Sequence, residues 1–231
     1  MAKKAALLVI GILLIDQLIK IWVKLSFDPS ETKTVIDGFF QLHYVENPGM
    51  AFGTKFGESI TAKLFLSIFR LVAITGIIFY LRKLIREGKM PKGFIYAVSL
   101  VLAGAAGNII DSMFYDYAFT IDPNNSVYCL KDANGYWEIS DNGAPVIRPT
   151  GFLLASVVDM FQFTLTWPQW VPFGLGGKEI FGAIWNFADA SISIGVIWII
   201  IRYRFFFKKE KKEEEIPTSE PAKEVEESLP Q

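Results

Sequence analysis

Four apolar stretches, each long enough to cross a lipid bilayer as a helix, constrain the fold of this chain more than any other feature. They cover about residues 5–25, 60–84, 93–114 and 180–203. A transmembrane helix needs about 20 mostly apolar residues to cross a hydrocarbon core of about 30 Å. Hydrophobic residues make up 52% of the 231 residues, which is more than a soluble domain usually contains. The sequence therefore predicts a membrane protein, mainly α, with four transmembrane helices.

The placement of basic residues predicts the orientation of these helices. Lys and Arg are concentrated between the second and third stretches, at about 82–92, and after the fourth, at about 202–212. Short connections that are rich in basic residues usually stay in the cytoplasm. Both termini are therefore predicted to be cytoplasmic, and the connections at about 26–59 and 115–179 are predicted to face outward.

The two outer connections differ in character. Residues 35–56 alternate between apolar and polar side chains, which predicts a small extracytoplasmic β-sheet on the membrane surface. Residues 116–150 are polar and contain turn-forming Asn-Gly pairs, so they are predicted to form an inserted extracytoplasmic loop. Residues 208–231 are rich in Lys and Glu and are predicted to be a disordered charged cytoplasmic tail, which leaves 1–207 as the membrane domain.

Polar residues inside the apolar stretches are the candidates for function, because an ionisable group near the centre of a bilayer is costly and usually marks a site or a pathway. A helical rise of about 1.5 Å per residue places all of them in the outer half of the membrane. Asp159 lies in the apolar segment 153–161, which is too short for a fifth span but can dip into the outer leaflet and meet the others. The intramembrane residues are Asp16, Lys20, Arg70, Asn108, Asp111, Asn186 and Asp189.

A structural role competes with a functional role at each of these positions. Asp16 and Lys20 are four residues apart on one helix face and can form an ion pair. Asp111 can be part of a scaffold, since Gly104 and Gly107 beside it allow close helix packing. Arg70 can reach the interface with its long side chain or pair with an acid. Position alone does not decide between site and scaffold for Asp159 and Asp189.

Two carboxylates that lie close together in a low-dielectric site share a proton, because ionising both would place two negative charges side by side at a high free-energy cost. One can then act as a base toward water, while the other donates a hydrogen bond to a developing oxyanion. This chemistry requires no metal or cofactor, and none is predicted. Cys129 is the only cysteine and His43 the only histidine, which argues against a His-based zinc site.

Five short motifs in register resemble one known family, the lipoprotein signal peptidases, also called signal peptidase II. The motifs match in order along nearly the whole membrane part of the chain, whereas any one of them alone would be a weak signal. They are Asp16-Gln17-Leu18-Ile19-Lys20, Glu46-Asn47-Pro48-Gly49-Met50-Ala51-Phe52-Gly53, Gly104 to Asp111, Val157-Val158-Asp159 and Asn186-Phe187-Ala188-Asp189.

The resemblance implies an aspartic endopeptidase of the bacterial cytoplasmic (inner) membrane, with its site near the outer face. Asp159 and Asp189 would be the catalytic pair. The implied substrate is a prolipoprotein whose lipobox cysteine carries a diacylglyceryl group, cut on the amino side of that cysteine. The expected partners are this substrate and membrane lipid, with no nucleic acid, and the chain is expected to be a monomer. The residues implied to line or brace the site are Asp16, Asn47, Gly49, Asn108, Asp111 and Asn186, with Lys20 more distant.

The chain departs from the family pattern in two places. The family usually has Arg directly after the acid of the third-span motif, where this chain has Ser112. We expect Arg70, at a similar depth, to supply the missing cation. The connection between Asp111 and Asp159 is also longer than the family normally has there.

Two other classes of protein remain as alternatives. A four-helix membrane carrier would use intramembrane carboxylates to relay protons or bind cations, although the sequence has no inverted repeat of the kind carriers often show. A hydrolase with a Ser-Lys dyad would combine Lys20 with Ser112 or Ser156, but it would leave the two acids without a purpose.

Overall fold

The long helices of this computed structural model lie close to three of the predicted spans. The structure describes residues 1–48, 60–119, 139–141, 143, 144, 146 and 148–207. Helices α1 (Ala2–Ser26), α2 (Ile60–Glu87) and α3 (Lys92–Ala118) are long and apolar enough to cross a membrane. The first three predicted spans are thereby confirmed as apolar helices, each a few residues longer than predicted.

The turn between α2 and α3 is short because local residues end one helix and start the next. Gly88 follows α2 with a φ of 64°, and its N–H donates to the carbonyl of Leu84 at 3.1 Å. This left-handed glycine is a common helix terminator. Pro91 then caps α3, whose first turn needs no proline N–H. The two helices are therefore held as antiparallel neighbours.

The fourth predicted span begins later than the sequence indicated. Helix α4 covers Phe187–Ile201, is 15 residues long and is followed by the short helix α5 (Tyr203–Phe206). The predicted start at residue 180 is wrong, because Ile184–Trp185 form a strand instead. Asn186 then caps α4 by accepting a hydrogen bond from the N–H of Asp189. A capping side chain fixes where a helix begins, even inside an apolar run.

Four antiparallel strands form one sheet in the order β1-β2-β3-β4. The strands β1 (Thr32–Ile36) and β2 (Phe40–Asn47) form a hairpin that overlaps the sheet predicted over 35–56 and begins three residues earlier. Residues 49–56 of that region lie outside the described residues. The strands β3 (Val157–Phe163) and β4 (Ile184–Trp185) were not predicted. The apolar segment around Asp159 is an inner strand that pairs on both sides, with β2 and with β4.

The predicted insertion starts too early. Residues 116–118 continue α3, so the helix ends at Ala118 and not before residue 116. Residues 120–138 lie outside the described part of the chain. The tail predicted over 208–231 lies outside it as well.

Helix α3 is central, since it packs against α1, α2, α4 and β3. It approaches α4 closely at Gly104, where an added Cβ would lie 2.2 Å from the backbone oxygen of Ala188. At Gly195 of α4, an added Cβ would lie 2.7 Å from the backbone oxygen of Ala97. Small residues thus bring the backbones of α3 and α4 together, as expected for packed membrane helices.

A second apolar cluster fixes the sheet to the helices. Val23 of α1 and Tyr115 of α3 pack with Tyr44 of β2 and with Val158 and Met160 of β3, and all of these residues are buried. Because β3 lies against both helices, its residues have a fixed position relative to α1 and α3. The sheet is therefore part of the same packed body as the helices.

The α3–α4 contact predicts a specific sensitivity to added volume. Gly104→Ala should destabilise the protein by about 1–3 kcal/mol, because the new methyl group collides with backbone. Gly76→Ala is the matched control, since nothing lies within 4 Å of the position of its added Cβ. Thermal unfolding in detergent, followed by tryptophan fluorescence, should show a lower midpoint for Gly104→Ala only. Equal midpoints for the two variants would contradict this packing.

Candidate active site

Two carboxylates face one cavity from different elements. Asp159 lies on β3 and Asp189 in the first turn of α4, and both line a cavity of about 890 Å³. Asp159 is 3% exposed, whereas Asp189 is half-buried. The carboxylate of Asp189 lies at the amino end of a helix, where the helix dipole favours negative charge. The two acids therefore share one cavity but have different surroundings.

Side-chain amides link the two acids. The amide nitrogen of Asn186 donates to Asp159 at 2.6 Å and to Asn108 at 3.0 Å. The amide nitrogen of Asn108 in turn donates to Asp189 at 2.8 Å. Asn47, at the end of β2, donates to the second oxygen of Asp159 at 3.0 Å. Each acid is thus held in a fixed orientation by at least one amide.

A buried cluster of three charges lies behind these amides. The Lys20 ammonium is 3.0 Å from the Asp16 carboxylate and 2.8 Å from the Asp111 carboxylate, and the side chains of all three are at most 1% exposed. Lys20 also donates to the oxygen of Asn108 at 2.9 Å. A lysine has only donors, so the oxygen of Asn108 must face it and the NH₂ group must face Asp189. Lys20 therefore sets the orientation of an amide that binds the second acid.

The two acids of this cluster hold the backbone beside the cavity acids. Asp16 accepts a hydrogen bond from the N–H of Ala188 at 2.9 Å, directly before Asp189. Asp111 accepts one from the N–H of Val158 at 3.3 Å, directly before Asp159. The charged cluster thus positions both β3 and the start of α4.

Gln17 belongs to this network although it was not predicted as a site residue. Its amide nitrogen donates to Asp111 at 2.9 Å and to the carbonyl of Gly107 at 3.3 Å, and its oxygen accepts from the Tyr115 hydroxyl at 3.1 Å. A polar side chain inside an apolar run was the signal that could have identified it.

The cavity modifies the acidity of Asp159. Burial raises the pKa of the Asp159 carboxyl well above its ordinary value, and the nearby charge of Asp189 raises this pKa further. The hydrogen bonds from Asn47 and Asn186 act in the opposite direction and are weaker. A carboxyl that keeps its proton near neutral pH can donate a hydrogen bond to a substrate oxygen.

Arg70 lines the same cavity as the two acids. Within the described part of the chain, no carboxylate lies within 4 Å of its guanidinium group, so the predicted alternative of a direct ion pair is not formed there. Ser112, where the family usually has Arg, is buried, and its hydroxyl donates to the carbonyl of Asn108 at 3.4 Å. The cavity therefore has a cation on α2 and none at position 112.

The structure brings together all the predicted site residues that it describes, and Gly49 lies outside the described residues. Their roles in a reaction stay a prediction. Among the described residues, no group of three or more His, Cys, Asp or Glu side chains is placed to hold a metal ion. Within the same residues, the ammonium of Lys20 hydrogen-bonds to neither Ser112 nor Ser156, which gives the Ser-Lys alternative no support.

This combination of apolar helices, a small sheet and paired carboxylates is typical of a membrane protein with a polar site at its cavity. Two solved structures of a bacterial membrane enzyme share the fold. One matches with a TM-score of 0.53 and 22% identity over 91% of this chain and 94% of that chain. The other matches with a TM-score of 0.54 and 20% identity over 87% and 92%.

Sequence relatives narrow the class to one family. The family model described as "Signal peptidase (SPase) II" matches residues 8–206. The lipoprotein signal peptidase of Porphyromonas gingivalis is 40% identical over 206 residues, which are 87% of this chain and 83% of that protein. The lipoprotein signal peptidase of Amoebophilus asiaticus is 32% identical over 82% of this chain and 73% of that protein. The chain belongs to the signal peptidase II family, which is a family of membrane proteases.

The charged cluster predicts a large loss of stability when its cation is removed. Lys20→Met leaves Asp16 and Asp111 buried together without a counter-charge, which should cost about 3–5 kcal/mol. The double variant Lys20→Met/Asp111→Asn should recover part of that loss, because it leaves one buried acid instead of two. Thermal unfolding in detergent measures both effects.

The matched control is Lys83→Met, which removes an exposed lysine paired with Glu87 at 3.9 Å. Exposed ion pairs contribute little, so its unfolding midpoint should stay near that of the wild type. If Lys20→Met unfolds at the same temperature as Lys83→Met, the three-charge cluster does not stabilise the fold.

Proposed function

We propose that this protein is an aspartic endopeptidase that removes signal peptides from diacylglyceryl-modified prolipoproteins, with Asp159 and Asp189 as the catalytic pair. The observation that carries the proposal is the shared cavity, where the two carboxylates are oriented by Asn47, Asn108 and Asn186. The names of the sequence relatives support the same substrate class.

The different surroundings of the two acids suggest their roles. Asp159, whose pKa is raised by burial, is the protonated member and donates a hydrogen bond to the carbonyl oxygen of the scissile peptide. Asp189, which is half-buried at the amino end of α4, is the charged member and takes a proton from the attacking water.

The reaction then needs only water and these two groups. The water oxygen bonds to the carbonyl carbon, and its proton passes to Asp189. The tetrahedral intermediate collapses as the bond from carbon to nitrogen breaks, and the proton on Asp189 passes to the leaving amine of the lipidated cysteine. Asp159 stabilises the oxyanion while it exists.

The proposed placement of the enzyme follows from its helices and its charges. We propose four spans, with α4 and α5 together forming the fourth, both termini in the cytoplasm and the cavity near the outer face. The basic residues between α2 and α3 and after α4 support this orientation. The predicted cytoplasmic tail at 208–231 and the membrane domain at 1–207 belong to the same proposal. Acyl chains can then reach the cavity through the bilayer.

The catalytic pair is tested by cleavage of a diacylglyceryl-modified prolipoprotein in detergent. Asp159→Asn and Asp189→Asn should each lower kcat by about 100-fold or more, because the amide cannot exchange the proton. Asp28→Asn is the matched control, since Asp28 is exposed on the connection after α1.

The possible results separate the proposals. Normal cleavage by either folded variant would contradict the catalytic pair while leaving the substrate class intact. No cleavage by folded wild type would contradict the substrate class, and proton or cation flux in liposomes would then support the carrier alternative.

Arg70, which lines the cavity, is proposed to position the substrate. Arg70→Ala should raise KM for the lipidated substrate by about 10-fold, because the guanidinium group lines the cavity with the two acids and can bind a substrate oxygen. Arg82→Ala, at an exposed position on the same helix, is the control. Steady-state kinetics separate the two parameters, and unchanged kinetics of Arg70→Ala would show that Ser112 needs no replacement cation.

A further inference from the structure

A second group of buried charges has no predicted role, although one of its members, Glu46, lines the same cavity as the two acids. It consists of Lys24 of α1, Glu46 of β2, Asp116 of α3 and Arg148, and we refer to these four residues as the Arg148 cluster. Their side chains are 8%, 3%, 3% and 11% exposed. Buried charges are costly unless they are paired, so a cluster of four requires a structural reason.

Arg148 closes the long connection between α3 and β3. Its guanidinium group binds Asp116 at two points, with Nη2 at 2.6 Å from Oδ1 and Nη1 at 3.1 Å from Oδ2. The N–H of Gly151 donates to the same carboxylate at 3.0 Å. Arg148 also donates to the carbonyl of Leu154 at 3.2 Å. The end of the connection is therefore fixed to the last turns of α3 by a two-point ion pair.

The same arginine reaches the strand that carries Asn47. Its Nη2 atom lies 4.0 Å from Oε2 of Glu46. The other oxygen of Glu46 accepts hydrogen bonds from the Lys24 ammonium and, at 2.8 Å, from the Tyr44 hydroxyl. Glu46 thus lies between two cations, one from α1 and one from the connection. The carboxylate fixes the end of β2 to both.

Glu46 is directly followed by Asn47, the last residue of β2. Asn47 donates to Asp159 at 3.0 Å, and its backbone pairs with Val157 of β3. A shift of the Glu46 carboxylate would therefore move the amide that orients Asp159. Asn186, the other amide that binds Asp159, is positioned by the start of α4 and does not depend on Glu46.

We propose that Arg148 is a positioning residue, which acts through Glu46 to hold the Asn47 amide on Asp159. The connection between α3 and β3 would then contribute to catalysis without placing Arg148 in the cavity. This inference rests on the proposed peptidase function. It assigns a role to the base of the connection, where the sequence indicated only an insertion.

The alkaline limb of the pH profile gives a readout that a purely structural role would not change. In the proposed mechanism, that limb reports loss of the proton from Asp159. Among the described residues, the other charged groups near Asp159 include Arg70 and Glu46, which line the cavity, Lys20 behind Asn108, and Asp111, which accepts from the N–H of Val158. The Asn47 hydrogen bond favours the charged form of Asp159, so loss of this bond should move the alkaline limb to higher pH.

The experiment compares cleavage by full-length Arg148→Gln, Arg148→Lys and Asn47→Ala in detergent. Arg148→Gln should lower kcat by about 10-fold with little change in KM, because a small misplacement of a reacting group affects the chemical step. It should move the alkaline limb in the same direction as Asn47→Ala. Arg148→Lys keeps a cation beside Glu46 and should recover part of kcat. Lys83→Gln, at an exposed ion pair, is the control and should behave as wild type.

The outcomes are distinguishable from failure of the proposed function. If wild type cleaves, Asp159→Asn does not, and folded Arg148→Gln keeps the wild-type kcat and alkaline limb, the positioning role is wrong and the peptidase function stands.

If Arg148→Gln does not fold, Asp116→Asn tests the same ion pair by weakening it at its other end. Asp116→Asn must then shift kcat and the alkaline limb in the directions given above, and unchanged values would overturn the inference. Failure of wild type itself to cleave would contradict the proposed function first.

Discussion

The ion cluster of Lys20 with Asp16 and Asp111 is the interaction on which the arrangement of the site depends. Its two acids accept the backbone N–H groups of Ala188 and Val158, the residues directly before Asp189 and Asp159. One lysine on α1 therefore holds together an acid on its own helix and an acid on α3, and these hold α4 and β3. Three buried charges are acceptable only because each is both paired and hydrogen-bonded.

The same cluster explains why the amides of the site have one orientation. Lys20 can only donate, so it fixes the oxygen of Asn108 and leaves its nitrogen for Asp189. Asn186 then has to present its own nitrogen to the oxygen of Asn108, and the same nitrogen reaches Asp159. Lys20 of α1 thus determines that the amide nitrogens of Asn108 and Asn186 face the two cavity acids. The protein's own hydrogen bonds orient both acids, and groups that are preorganised in this way favour electrostatic catalysis.

The sequence predicted the polar side chains of the site well. Burying a polar residue in a membrane costs free energy, so such residues are rare in apolar stretches and stand out there. Asp16, Lys20, Asn108, Asp111 and Asp189 each interrupt an apolar run, and this is a signal that a soluble protein would not provide. The strand around Asp159 was not predicted. A short continuous apolar run is compatible with a buried strand or with a membrane segment, and only its partners β2 and β4 decide between them.

The start of α4 and the Arg148 cluster were missed for a related reason. The capping role of Asn186 is local, but Asn186 lies inside a long apolar stretch and was interpreted as an intramembrane polar residue and not as the start of a helix. Arg148 lies in a polar connection, where a charged residue is normally solvated, so nothing in its sequence context indicates burial. The sequence likewise does not show that Glu46 lies between two cations, because Lys24 and Arg148 are distant from it in the chain. Contacts between residues that are distant in sequence determine both features.

The position of Asp159 relative to Asp111 does not depend on the length of chain between them. The N–H of Val158 binds Asp111 at 3.3 Å, and the N–H of Ala155 donates to the carbonyl of Ser112 at 3.2 Å. The free-energy cost of closing a loop rises only slowly with its length, by about 0.6 kcal/mol for each doubling. A long connection is therefore compatible with the site when its two ends are held at α3, and the Asp116–Arg148 pair holds them there. The geometry of the proposed catalytic pair is therefore set by contacts at the base of the connection and not by the number of residues within it.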